Sequence, residues 1–204
     1  LNRISWDFAH KQIFGIEIND RIARIAMMDM VIHEDGHSNI ECNNALFNYE
    51  EFNKRRDIQS DKYSLVFTNP PFGGTIKDNN ILLKFELGKD RDNQKTEILF
   101  IERCLTLLKN GGKLGIVLPD SILTNSSLQY VRDYILKRIK ILALVSLPYH
   151  AFTPSGAGVK SSLIFVEKTQ KEKEDYKVFM AIAKHIGYDS RGEKDIDDLF
   201  DIIN

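Results

Sequence analysis

An asparagine, two prolines and a phenylalanine, Asn69-Pro70-Pro71-Phe72, follow directly on the apolar run Tyr63-Ser64-Leu65-Val66-Phe67-Thr68 and lead into Gly73-Gly74. The chemistry these residues suit is attack by a planar aromatic amine. Such a nitrogen has its lone pair delocalised into the ring, and it is a poor nucleophile until its surroundings favour a tetrahedral, positively charged form. The Asn69 side-chain oxygen and the Pro70 carbonyl can each accept one amine hydrogen and stabilise the charge that develops during attack. That is electrostatic preorganisation, not removal of a proton by a base. The Phe72 ring can stack on the ring of the amine, as proteins hold a base extruded from its duplex. A rigid turn after a core strand is the plain alternative. Pro-Pro alone would carry no more than that, whereas the full tetrapeptide in this setting is far more specific.

The elements that must position these groups follow from the surrounding pattern. Leu65 to Phe67 are consecutive, bulky and partly β-branched, which predicts a strand buried on both faces of a parallel sheet. Pro70 and Pro71 fix φ and lack an N–H, so the strand ends there in a stiff turn. Ligands of open α/β sheets sit at such carboxyl ends. Upstream, Leu1 to Gln12 reads as the tail of a helix and Ile13 to Ile18 as a buried strand. Asn19 or Asp20 then caps a helix whose apolar face holds the Met cluster in the core. Ser38 to Cys42 is a short strand with Asn43-Asn44-Ala45-Leu46 as its exit. Downstream, Gly74 to Lys95 is polar and charge-mixed, a flexible lid, a DNA-contacting flap or plain disorder. Glu97 to Lys109 is a helix stopped by Asn110-Gly111-Gly112, and Lys113 to Leu118 is a buried strand. Leu128 to Ile139 is a helix, and Ile141 to Leu147 and Val159 to Glu167 are strands. A charged run from Thr169 to Asp175 leads to a strand over Tyr176 to Ala183, a loop over Gly187 to Gly192 and a short acidic helix over Asp195 to Ile203. Strands alternating with helices predict a doubly wound α/β fold around a mostly parallel sheet.

Glu17 ends its strand just before a helix, where nucleotide-binding sheets hold ribose hydroxyls with an acidic side chain; a merely solvated Glu is the alternative. His33 and His37 are spaced for one helix face, but no third ligand is near and Gly36 ends the helix, so no metal site is expected. Cys42 and Cys104 lack metal or redox spacing and are expected reduced in the core. With 204 residues, 43% apolar and 28% charged, the chain is expected to form one soluble domain, cytoplasmic by default. No apolar run approaches membrane-spanning length. A net charge of -1 places most of any grip on nucleic acid in a local patch, another domain or another subunit.

The tetrapeptide resembles the signature of the amino-group DNA methyltransferases that modify adenine, Asn-Pro-Pro followed by Phe or Tyr. Within them the chain is most similar to the modification subunits of type I restriction-modification systems and their close type II relatives. The likeness extends along the sequence. Gly15-Ile16-Glu17-Ile18-Asn19 resembles the family's ribose-binding segment, Phe100 through Gly112 its Phe-Leu to Lys-Pro-Gly-Gly helix, and Phe152 through Ser162 its base-holding segment. Ile186-Gly187-Tyr188-Asp189 is similar to a segment of the type I enzymes.

The resemblance implies transfer of a methyl group from S-adenosylmethionine to the exocyclic amino group of adenine in DNA. It implies Asn69, Pro70 and Phe72 as catalytic, Phe72 with Phe152 as holders of the target base, and Glu17, Asn44, Ala45 and Phe100 as cofactor-binding. Phe152 as a core residue at a hairpin end and Phe100 as a packing residue are the alternatives. At Asn44 the family usually has Asp, accepting a hydrogen bond from the cofactor's adenine; a carboxamide accepts without charge, and an Asn-rich exit can also be a simple turn. The family's Gly-rich turn precedes the ribose-binding acid, and none stands before Ile13. The chain is therefore expected to be a partial catalytic domain over 1–204, with 169–204 a C-terminal extension, lacking the first βα unit and inactive alone. Its expected partners are DNA, a specificity subunit or target-recognition domain, and a restriction subunit. Two other readings stay open: methylation of another planar nitrogen, such as a protein glutamine amide or an RNA base, and a non-catalytic base-binding or assembly module.

Overall fold

The computed structural model describes residues 8, 11–33, 39–47, 58–156, 158–169 and 175–203. Most of the helix expected over Leu1 to Gln12, His37, Ser38 and most of the charged run after Thr169 lie outside them. The chain divides into two compact units, Leu1–Gln59 and Ser60–Asn204.

In the first unit, β1 (Gly15–Glu17) pairs in parallel with β2 (Ile40–Cys42), Glu17 opposite Cys42. The Ile40 side chain lies against Gly15, where a Cβ would meet its Cδ1 at 2.7 Å. Asn19 caps α1 (Asp20–Ile32), its side-chain oxygen accepting from the N–H groups of Arg21 and Ile22 at 3.0 and 3.2 Å. Burial departs from expectation. β1 is half-buried, with Ile13 and Ile18 exposed beside it, and Ala23 is the buried residue of α1 while Ile22, Ile25 and Met28 are exposed. A helical apolar period says that a face exists, not that a partner covers it. Cys42 likewise is exposed at the end of β2, whereas Cys104 is buried as expected.

The second unit is built on a five-stranded sheet. Its strands are β3 (Tyr63–Thr68), β6 (Leu108–Pro119), β8 (Ser161–Lys168), β7 (Ile139–Ser146) and β9 (Phe179–Ile182), in that spatial order. β3 and β6 are parallel, as are β7 and β9, while β8 opposes both its neighbours. Four strands thus run one way, and the mostly parallel sheet is met with β8 as the exception. Residues 147–160, which carry the 3-10 helix Tyr149–Ser155, join β7 to β8 at one end of the sheet, so β8 returns antiparallel beside β7. The core packs Leu114, Ile116 and Leu118 of β6 and Ile164 and Val166 of β8 against α3 (Thr96–Leu107) and α5 (Gln129–Leu136), through Ile98, Ile101, Leu105 and Val131.

β3 lies at the sheet edge, and the burial expected on both its faces is found on one. Val66 packs on the core, whereas Leu65 and Phe67 are 56% and 71% exposed. An apolar run cannot say whether its sheet is covered on one side or two. The Phe67 ring lies over Gly115, its partner on β6, where a Cβ would sit 2.7 Å from a ring carbon. Asn110-Gly111-Gly112 does not separate helix from strand. It forms an irregularity inside β6, with Gly111 at φ +78°.

The stretch from Gly74 to Lys95 is ordered, contrary to the flexible flap expected. β4 (Thr75–Ile76) pairs with β5 (Gln94–Lys95), and between them come the one-turn α2 (Asn79–Leu82) and the buried Ile81, Leu82, Phe85 and Leu87. Glu102 of α3 ties the stretch down, accepting the N–H groups of Glu86 and Leu87 at 2.7 and 2.9 Å. The apolar residues of this stretch are bunched within Ile81 to Leu87, a window too short to establish a period, and the polar residues on either side dominate the sequence reading.

After α4 (Asp120–Thr124), α5 and the remaining sheet strands, the C-terminal stretch forms a hairpin of β10 (Ile186–Tyr188) and β11 (Lys194–Asp197), then α6 (Leu199–Ile203). The acidic helix expected from Asp195 therefore starts later. The Asp189 side chain accepts from Arg191 and Glu193 N–H, and Gly187 and Gly192 have positive φ, which together turn the chain back as strand. Among the described residues no helix is long and apolar enough to cross a membrane, and no group of three or more His, Cys, Asp or Glu is placed to hold a metal ion.

Candidate active site

The Asn-Pro-Pro-Phe turn leaves the carboxyl end of β3 and is held at both its ends. Upstream, the ladder to β6 runs as far as Thr68 opposite Ile116. Downstream, Thr96 N–H donates to Gly74 O at 3.1 Å, and Lys95 Nζ donates to Gly73 O and Thr75 Oγ1 at 3.3 and 3.2 Å. Gly74 has to be glycine for this fit, since a Cβ would stand 2.5 Å from Thr96 Oγ1. Within the turn Asn69 is exposed, Pro70 is buried and Phe72 is half-buried. The carboxamide is thereby presented to solvent on an anchored proline.

Phe152 comes to the same place from the connection that follows β7, at the same carboxyl end of the sheet. It lies on the 3-10 helix Tyr149–Ser155 between β7 and β8, and its ring meets Phe72 edge to face, with centroids 6.1 Å apart and planes at 89°. The strand ends that set this approach are tied together by polar bonds. Ser162 Oγ donates to Asp120 Oδ1 at 2.7 Å, Asp120 N–H to Lys160 O at 2.9 Å and Leu147 N–H to Ser161 O at 3.0 Å. Lys160 Nζ donates to Ser146 Oγ at 2.8 Å and to Leu147 O. Ser161 and Ser162 are buried, so their hydroxyls need partners, and Ser161 Oγ finds its own in Val159 O at 3.0 Å. Spacing alone gave no sign of Lys160 or Asp120.

The residues expected to bind cofactor divide between the units. Glu17 is half-buried at the end of β1, and its Oε1 accepts the N–H of Asn19 at 2.7 Å. Asn44 Oδ1 accepts the N–H of Leu46 at 3.0 Å, which is the turn its sequence also allowed. A carboxamide oxygen has a second lone pair, so the bond leaves room for one more donor. Ala45 is half-buried beside it. In the second unit, α3 is buried at every position from Thr96 to Leu105 except Phe100, which is half-buried. One turn earlier on the same face is Glu97, buried, with no hydrogen-bond partner for Oε2 among the described residues. Sequence reasoning passed over Glu97, because a Glu in the first turn of a helix is ordinary.

The fold is that of the S-adenosylmethionine-dependent methyltransferases. A solved structure assigned to class I of them, from Listeria monocytogenes, matches with a TM-score of 0.68 at 22% identity, over 84% of this chain and 49% of the other. The family model for N-6 DNA methylases matches residues 3–198, and the chain belongs to that family. A type I restriction enzyme EcoEI methylase subunit from Escherichia coli is 25% identical over 165 residues, covering 80% of this chain and 32% of its own length. The type II restriction enzyme and methyltransferase RM.BcgI from Heyndrickxia coagulans is 24% identical over 191 residues, covering 89% and 27%. A solved chain of a type I R-M system matches with a TM-score of 0.71 at 26% identity, over 92% of this chain and 37% of that one. The chain spans about a third or less of the length of the curated relatives named here.

Proposed function

We propose that the protein bearing this chain transfers a methyl group from S-adenosylmethionine to the exocyclic amino group of adenine in DNA, as the modification activity of a restriction-modification system. The observation that carries the reading is the Phe72–Phe152 approach beside an exposed Asn69 at the carboxyl end of β3. The Asn69 oxygen and the Pro70 carbonyl accept the two amine hydrogens and favour the tetrahedral nitrogen. Phe72 stacks on the extruded base, and Phe152 closes against its edge. Neither role needs a base, and no residue of the turn has a side chain that would act as one.

The residues fit the cofactor by their chemistry. Glu17 keeps one carboxylate oxygen beyond its bond to Asn19 for ribose hydroxyls, Asn44 keeps a lone pair for an amino group, Ala45 packs beside it and Phe100 offers a half-buried ring. Glu97 Oε2, which has no hydrogen-bond partner among the described residues, supplies a further buried acceptor one turn from that ring. When bound, the cofactor supplies an electrophilic methyl group. A net charge of -1 and relatives named as methylase subunits support a division of labour in which a specificity subunit or target-recognition domain reads DNA and a restriction subunit joins them in the cytoplasm.

The test is transfer of labelled methyl from S-adenosylmethionine by the full-length protein to duplex DNA, RNA and total protein. Label recovered as N6-methyladenine in DNA is the expected result. Label on RNA or glutamine alone would move the assignment to another planar nitrogen, and no label on any of them would leave a binding module.

A further inference from the structure

The 3-10 helix that carries Phe152 is gripped by the C-terminal hairpin through one residue. The Tyr188 hydroxyl donates to Ala151 O at 2.6 Å, and the Tyr188 carbonyl accepts from His150 Nε2 at 3.2 Å. Both bonds land on the two residues immediately before Phe152. Around them Ile186, Leu199 and Ile202 pack with Phe152 on the buried cluster of Val145, Leu147, Ala151 and Ala183.

The hairpin making this grip is itself braced. Asp198 Oδ2 accepts the N–H groups of Lys184 and His185, each at 2.9 Å, and His185 Nδ1 lies 3.1 Å from Asp195 Oδ2. Gly187 places Tyr188 by adopting φ +86°, a conformation that side chains disfavour. A hairpin that only covered apolar surface would not need to direct both polar groups of one residue at consecutive positions of another loop. Here they fix the backbone on which the Phe152 ring is mounted.

We propose that Tyr188 is a positioning residue for the target base, holding Phe152 at its angle to Phe72 through Ala151 and His150. The inference rests on the reading of Phe72 and Phe152 as the pair that holds the base. It assigns the C-terminal stretch a part in gripping the base, beyond its part in stability.

The experiment uses the full-length protein and a duplex carrying 2-aminopurine at the adenine whose methylation has been mapped. Tyr188→Phe keeps the ring and removes the donor to Ala151 O, which is buried. Loss of one such bond should weaken extrusion by about tenfold, read as a smaller rise in 2-aminopurine fluorescence and a higher KM for DNA. A mismatch opposite the target should restore most of the loss, because a mismatched base is easier to extrude. Cofactor affinity should stay within about twofold of wild type, a change too small to correspond to one lost hydrogen bond. His150→Ala breaks the second bond and should give the same signature, which keeps the test open if Tyr188→Phe fails to fold. The proposal is overturned if both folded variants lose thermal stability yet extrude the base as wild type does. In that event Phe152→Ala separates the two ideas. A defect in Phe152→Ala alone ends the role of Tyr188 and leaves the base-holding pair standing, whereas no defect in any of the three ends both.

Discussion

On the proposed reading, Asn69 stands where an acceptor counts most toward rate, exposed at a strand end with a buried proline behind it. Asn69→Ala should lower turnover by on the order of 10²-fold and leave cofactor affinity unchanged, since the lost acceptor acts on charge that develops in the transition state. Single-turnover kinetics checks this, and near-normal methyl transfer would end the assignment. Glu17→Ala should do the reverse, weakening S-adenosylmethionine binding in calorimetry with affinity for DNA little altered. The cysteines are distinguished by burial. Desolvation pushes the Cys104 thiol up to about 12, while Cys42 is exposed. In the folded chain one thiol should therefore react with a thiol reagent at about pH 8, and the second only after denaturation. Two thiols reacting at comparable rates in the native state would contradict this burial.

At the scale of elements, the stretch between β4 and β5 is an ordered cap whose fixed point is Glu102. Its carboxylate accepts the Glu86 and Leu87 N–H groups, and a Gln there would offer one acceptor where two are used. Glu102→Gln should cost about 1–3 kcal/mol in urea unfolding. Burial, the dominant effect, raises the Glu102 pKa above its ordinary 4.5, against the lowering by those two N–H groups. A carboxyl whose folded pKa is raised contributes most stability below its unfolded pKa and loses it as pH climbs through the folded value. The gap between wild type and Glu102→Gln should therefore be widest in acid and narrow as pH rises above about 4.5 toward neutrality. A gap independent of pH would refute the link. Because this cap also anchors Gly73 to Thr75, its loosening should, on the proposed reading, reach the Asn-Pro-Pro-Phe turn as a fall in turnover.

For the whole molecule, the two ends of the main sheet remain apolar. Leu65 and Phe67 on β3 are 56% and 71% exposed, and Met180 and Ile182 on β9 are 70% and 72% exposed. Edge strands of this kind pair with other chains, and a net charge of -1 offers little repulsion against it. The 204-residue chain in isolation should show concentration-dependent association by light scattering, and Leu65→Lys should shift it toward monomer. Unchanged association in that variant would place the contact elsewhere.

The sequence by itself determined the groups proposed to do the chemistry and the local elements beneath them. Pro70 and Pro71 stop β3 wherever it lies in the fold, Asn19 starts α1 with its own side chain, and the apolar runs of β6, β7 and β8 are strands by composition. Dihedral limits, caps and periodicity act between near neighbours in the chain, so neighbours suffice to reveal them. Tertiary structure alone decided that Phe152 would meet Phe72, that one face of β3 would stay open, that Ile81, Leu82, Phe85 and Leu87 would order a polar run, and that Tyr188 would seize the residues before Phe152. Each of those depends on burial summed over segments distant in the chain, and no local window of sequence contains that sum.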